Sequence, residues 1–149
     1  MALNNEQTVD KLNHILGTLR DGEKGYREAA DEVTNTEYKT MFNQYAQQRS
    51  TFAAQIETEI RQLGGDPQDS GSAGAALHRA WTNVRDAITG KDDAAVIAEV
   101  ERGEDVAIDN YQGVMEESLP ADIKGIITQQ YDDVKAAHDR IRDLKHATQ

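Results

Sequence analysis

The feature that most constrains this chain is the unequal length of the gaps between its helix-periodic runs. Apolar residues recur at helical spacing from residue 4 to 33, and Asn35-Thr36 then breaks the pattern with turn and N-cap chemistry. A second run, from 37 to 63, stops at Gly64-Gly65-Asp66-Pro67, where glycine ends the helix and proline prevents its continuation. Asp92 can cap a third long run reaching about Glu117, and Leu119-Pro120 separates it from a last run ending near Lys145. Two gaps are tight and one is long. That pattern predicts two antiparallel helical hairpins joined by a crossover. The crossover contains the loop-forming "DSGSAG", then Leu77, Trp81, Val84 and Ile88 on one face of a short fifth helix closed by Thr89-Gly90.

Helix and gap lengths together predict an all-α, ferritin-like four-helix bundle forming a single domain over residues 1–149. Only two prolines, with 38% hydrophobic and 29% charged residues, suit long solvated helices better than strands. The 27 acidic residues outnumber the 16 basic ones, and the resulting net charge of -11 repels nucleic acid and anionic lipid. No apolar run approaches the ~20 residues of a membrane span, and "MALNNEQTVDKL" lacks the basic start and apolar stretch of a signal peptide. A soluble cytoplasmic protein is expected. The absence of cysteine removes disulfides and thiolate metal sites. No Ser-His-Asp pattern, phosphate loop or nucleotide fingerprint points to catalysis.

A shift of 81 positions, the difference between 104 and 23, places Gly22-Glu23 on Gly103-Glu104. The same shift pairs Leu16 with Ile97, Leu19 with Val100, Ile60 with Ile141, Arg61 with Arg142 and Leu63 with Leu144. Any two amphipathic hairpins align apolar on apolar, but the Gly-Glu and Ile-Arg matches favour a pseudo-two-fold duplication. Each long helix carries a polar residue in its apolar stripe. Glu23 follows Leu12, Leu16 and Leu19; Arg49 follows Phe42 and Tyr45; Glu104 follows Ile97 and Val100; Gln130 follows Ile123 and Ile127. Glu23, Arg49, Glu104 and Gln130 are therefore expected to form a buried polar layer, with Arg49 between the two glutamates.

Inward carboxylates supplemented by Glu-x-x-His pairs are how ferritin-like bundles hold two iron or manganese ions. Here Glu23 and Glu104 fit that scheme, but Lys135 stands three residues before His138, and the second helical run has no histidine. Two readings stay open: a structural Glu-Arg-Glu network without cofactor, which is preferred, and a degenerate iron or manganese site. Glu57 corresponds to His138 under the shift of 81, yet both lie one step off their stripes, so exposure is their default. His14 and His146 are expected in solvent. His78 is expected to cap or pair with an acid, and Trp81 to dock the crossover.

The runs "RDGEKGYREAA", "LGGDPQDSGSAGAALHRAW" and "ITGKDDAAVIAEVERGEDVAIDNYQ", followed by "LP", resemble a bacterial family of small ferritin-like four-helix-bundle proteins of unknown function. The resemblance implies the ferritin-like fold and a relation to rubrerythrin-type and stress-associated bundles. It carries over Glu23 and Glu104 as ferritin-type metal ligands, with His138 as a third. The missing Glu-x-x-His pairs depart from the ferritin pattern. The expected role is accordingly a non-enzymatic, stress-associated bundle acting by self-association or binding of a protein partner. The alternative is a metal-handling redox protein. The apolar row from Leu77 to Ile88 makes a homodimer formed near the crossover the expected assembly.

Overall fold

The computed structural model describes residues 2–68 and 92–148. Four helices run through them: α1 (Asn5–Glu32), α2 (Thr36–Gln62), α3 (Asp93–Met115) and α4 (Ala121–Thr148). The short helix expected over 77–88, with His78 and Trp81, lies outside the described residues. Among the described residues there is no strand, and no helix is long and apolar enough to cross a membrane.

The helix boundaries fall where side chains can satisfy free backbone groups. Asn4 and Gln7 exchange side-chain and backbone hydrogen bonds of 2.8 and 3.0 Å at the start of α1, a reciprocal capping box. Asn35 accepts from the amides of Glu37 and Tyr38 at the start of α2, and Asp92 from Ala95 at the start of α3. At the end of α2, Gly64 has φ +83, a left-handed conformation that side chains strain. Beyond it the chain is pinned to α1, because Asn13 donates to the Asp66 carbonyl and accepts from the Gln68 amide.

α1 packs most extensively on α2 and α3 on α4, and the two hairpins meet mainly through α1 and α3. Those two helices run antiparallel, as the Lys11–Glu117, Asn110–Thr18 and Asp93–Thr34 contacts require. α2 and α3 consequently lie diagonally across the bundle. The interior divides into two apolar clusters. One gathers Tyr26, Ala30, Phe42, Val96, Val100 and Ile141; the other gathers Leu12, Leu16, Ile56, Ala107, Ile127 and Val134.

Asp93 joins the first turn of α3 to the α1–α2 turn. Its carboxylate accepts from the Thr34 and Asn35 amides at 2.8 and 2.9 Å and from the Thr34 hydroxyl at 3.1 Å. Partial burial opposes ionisation, but these hydrogen bonds outweigh it and hold the Asp93 carboxyl below its ordinary 3.8. A depressed folded pKa stabilises the protein above the unfolded value, and that contribution disappears as pH falls through the folded one. Asp93→Ala is expected to cost about 1 kcal/mol at neutral pH. Denaturant titrations should show the gap closing in strong acid, and a gap independent of pH would show that the carboxylate's charge is irrelevant.

Candidate functional site

Between the two apolar clusters the bundle interior turns polar. Arg49 of α2 and Glu104 of α3 have side-chain exposures of 1% and 0%. The guanidinium donates from Nη1 and Nη2 to the two carboxylate oxygens at 2.6 and 2.7 Å, a bidentate pair formed across the bundle diagonal. Nε donates to Gln48 at 3.3 Å, and Cζ sits 5.2 Å from the centroid of the Tyr26 ring, a cation–π distance. Burial opposes the charge on Arg49, but the facing Glu104 carboxylate outweighs it and raises the pKa. Burial, reinforced by the negative charge of Glu104, pushes the Tyr26 hydroxyl well above its usual range, so it stays neutral.

Gly22 leaves space for this pair. A Cβ there would lie 3.3 Å from Arg49 Nη1, whose position the carboxylate already dictates. Gln130 of α4 is buried in the same interior but belongs to a separate network. Its Oε1 accepts from the Tyr111 hydroxyl at 2.9 Å, while Nε2 donates to Gln55 at 2.9 Å and to the Phe52 carbonyl at 3.4 Å. Burial raises the pKa of Tyr111, keeping it a hydrogen-bond donor.

Glu23 lies elsewhere. It stands at the edge of α1 with 19% side-chain exposure, and its oxygens accept from Arg20 at 3.1 Å and Arg27 at 3.3 Å. Arg20 also bridges to Glu57 of α2. Arg49 thus faces Glu104 and Gly22, not a pair of glutamates. His138 hydrogen-bonds neither to Glu23 nor to the Arg49–Glu104 pair, although the Glu104 charge acts on it. Its Nε2 is 2.6 Å from Asp105 Oδ1, and its Nδ1 is 3.1 Å from Asp139 Oδ1. Burial alone would lower the His138 pKa, but these carboxylates raise it. Hydrogen bonds from Lys135 and then His138 pull Asp139 down to about 2.

The residues that sequence reasoning passed over are Glu101 and Asp105. One ligand atom from each, with one from His138, falls within a mutual distance of 4.8 Å. The available signal was their spacing of four on one helix, which turns them to one side. Their approach to His138 depends on how α3 and α4 are rotated against each other, which no local pattern records.

The interior donor set does not suit the paired metal ions that ferritin-like bundles hold. Both Glu104 oxygens are committed to a permanent guanidinium charge, Gln130 is neutral, and Glu23 faces Arg20 and Arg27 at the edge. A dication entering this layer would stand against Arg49 with no free inward carboxylate among these residues.

Helix order and the long connection between α2 and α3 define the class: a ferritin-like four-helix bundle. The chain belongs to the family described as "Domain of unknown function (DUF2383)", which residues 7–117 match. A crystal structure of a two-domain protein from Anabaena variabilis, containing DJ-1/ThiJ/PfpI-like and ferritin-like domains, superposes with a TM-score of 0.81 at 20% identity. The match covers 99% of this chain and 41% of the two-domain chain. A mutant of Mycobacterium smegmatis Dps1 superposes with a TM-score of 0.79 at 16% identity, covering 95% of this chain and 96% of Dps1. At these identities the likeness is one of fold. No curated protein matches the sequence.

Proposed function

We propose that this chain is a non-enzymatic, stress-associated bundle that acts by self-association or by docking a protein partner, with its interior polar layer serving structure. The supporting observation is the buried Arg49–Glu104 pair, in which an internal cation already neutralises the inward carboxylate. The stress association draws on the resemblance to rubrerythrin-type and stress-associated bundles. The proposed assembly is a homodimer through the apolar row Leu77, Trp81, Val84 and Ile88, favoured over a closed cage by the acidic balance of the sequence.

Two measurements test this reading. Ferrous iron added aerobically should oxidise no faster than in protein-free buffer, and catalysed oxidation would overturn the non-enzymatic role. Light scattering should give twice the chain mass across a wide concentration range. A monomer throughout, or a particle of many chains, would overturn the proposed dimer.

A further inference from the structure

Glu101 and Asp105 stand one helical turn apart on α3, and His138 of α4 faces them. The imidazole and Glu101 are largely sheltered, with side-chain exposures of 15% and 13%, while Asp105 is 56% exposed and opens the cluster to solvent. His138 is also oriented from behind. Its Nδ1 contacts Asp139, and Asp139 is held by Lys135 at 2.9 Å and Arg142 at 3.5 Å. A histidine that ligates a metal through one nitrogen typically has its other nitrogen fixed by a carboxylate in this way.

Positions 101, 105 and 138, each reduced by 81, are 20, 24 and 57, occupied by Arg20, Lys24 and Glu57. In the first half the hairpin is therefore bridged by a cation belonging to the chain, through the Arg20–Glu57 ion pair. In the second half the equivalent positions hold two carboxylates and an imidazole. Lys145 reaches into this group, its Nζ donating to Glu101 Oε2 at 2.8 Å.

The geometry points to a mononuclear zinc site formed by Glu101, Asp105 and His138, with solvent completing the coordination. Three protein ligands and a water form a familiar tetrahedral zinc arrangement. Bonds of about 2.0–2.1 Å place tetrahedral ligand atoms roughly 3.3 Å apart. The Asp105–His138 contact at 2.6 Å then opens slightly as zinc replaces the hydrogen between them, and the wider separations, at most 4.8 Å, close. Lys145 competes for Glu101. The site shares no ligand with the Arg49–Glu104 pair and does not rest on the function proposed above. Zinc is also redox-silent, so the iron-oxidation and light-scattering tests stand separately from it.

Isothermal titration of chelator-treated full-length protein with zinc chloride should show one tight site per chain. His138→Gln and Asp105→Asn should each weaken it by about tenfold or more, since losing even a residue that only supports a ligand from behind costs roughly that much. Asp105 is exposed, so its variant keeps the test interpretable should the histidine variant fold poorly. Lys145→Met should tighten binding by removing the competing ammonium. Zinc should also shift the His138 imidazole resonances in NMR spectra. Equal affinity in the parent and both weakened variants would mean an adventitious ion only. A Lys145→Met variant that binds no tighter would overturn the placement of zinc at Glu101.

Discussion

Arg49→Met is expected to destabilise the bundle by about 3–5 kcal/mol at neutral pH, because a buried carboxylate is left without its cation. The methionine fills much of the vacated volume, so the loss reports chiefly on charge. Every hydrogen bond that Glu104 forms to the guanidinium disappears with it. A carboxyl stranded in an apolar interior favours its neutral form, so acidification should narrow the gap between variant and parent. Thermal unfolding at several pH values would measure both effects. A variant as stable as its parent would show that the pair contributes nothing to holding the fold.

Glu104→Leu is expected to cost a similar ~3–5 kcal/mol for the opposite reason, since it strands the cation. Here acid should bring no recovery. An arginine side chain does not shed its proton in a protein, so the buried charge persists across the whole pH range. The double variant, Arg49→Met with Glu104→Leu, removes both charges and should recover most of the stability, since replacing a buried ion pair with apolar side chains is often neutral or stabilising. A double-variant cycle would separate the coupling from the packing changes. Losses that simply add would mean that the two side chains act independently despite their contact.

The fold was legible because its punctuation is chemical. Asn35, Gly64, Asp92 and Pro120 each end or begin a helix for a reason stated in the residue itself, and the helices start and stop beside them. The inward face of α3 was equally plain, since Ile97, Val100, Glu104, Ala107, Tyr111 and Val114 follow an unbroken alternation of three and four. α1 carries the same alternation through Leu16, Leu19, Glu23, Tyr26, Ala30 and Val33, and all of these but Glu23 are buried. The place beside Arg49 is taken by Gly22, which carries no apolar signal to mark it. Glu23 is thereby turned to the edge, where Arg20 and Arg27 meet it. The partnership of Arg49 with Glu104, and the meeting of His138 with Asp105 and Glu101, depend on which helices sit opposite in space. Residue spacing along one helix does not contain that information.

Arg49 reaches diagonally across the bundle to Glu104. In a bundle with apolar stripes of similar composition, the cheapest error is a slip of one helix along its axis by a single turn, about 5.4 Å. Leucine, isoleucine, valine and alanine can exchange neighbours under such a slip with only a partial loss of packing. The guanidinium and the carboxylate cannot, because each would be carried into one of the flanking apolar clusters without the other. The backbones of α2 and α3 do not approach closely, so the two charges tie together directly two helices otherwise aligned through α1 and the shared apolar clusters. They act as a registration mark between the hairpins, admitting one alignment and penalising its neighbours on either side.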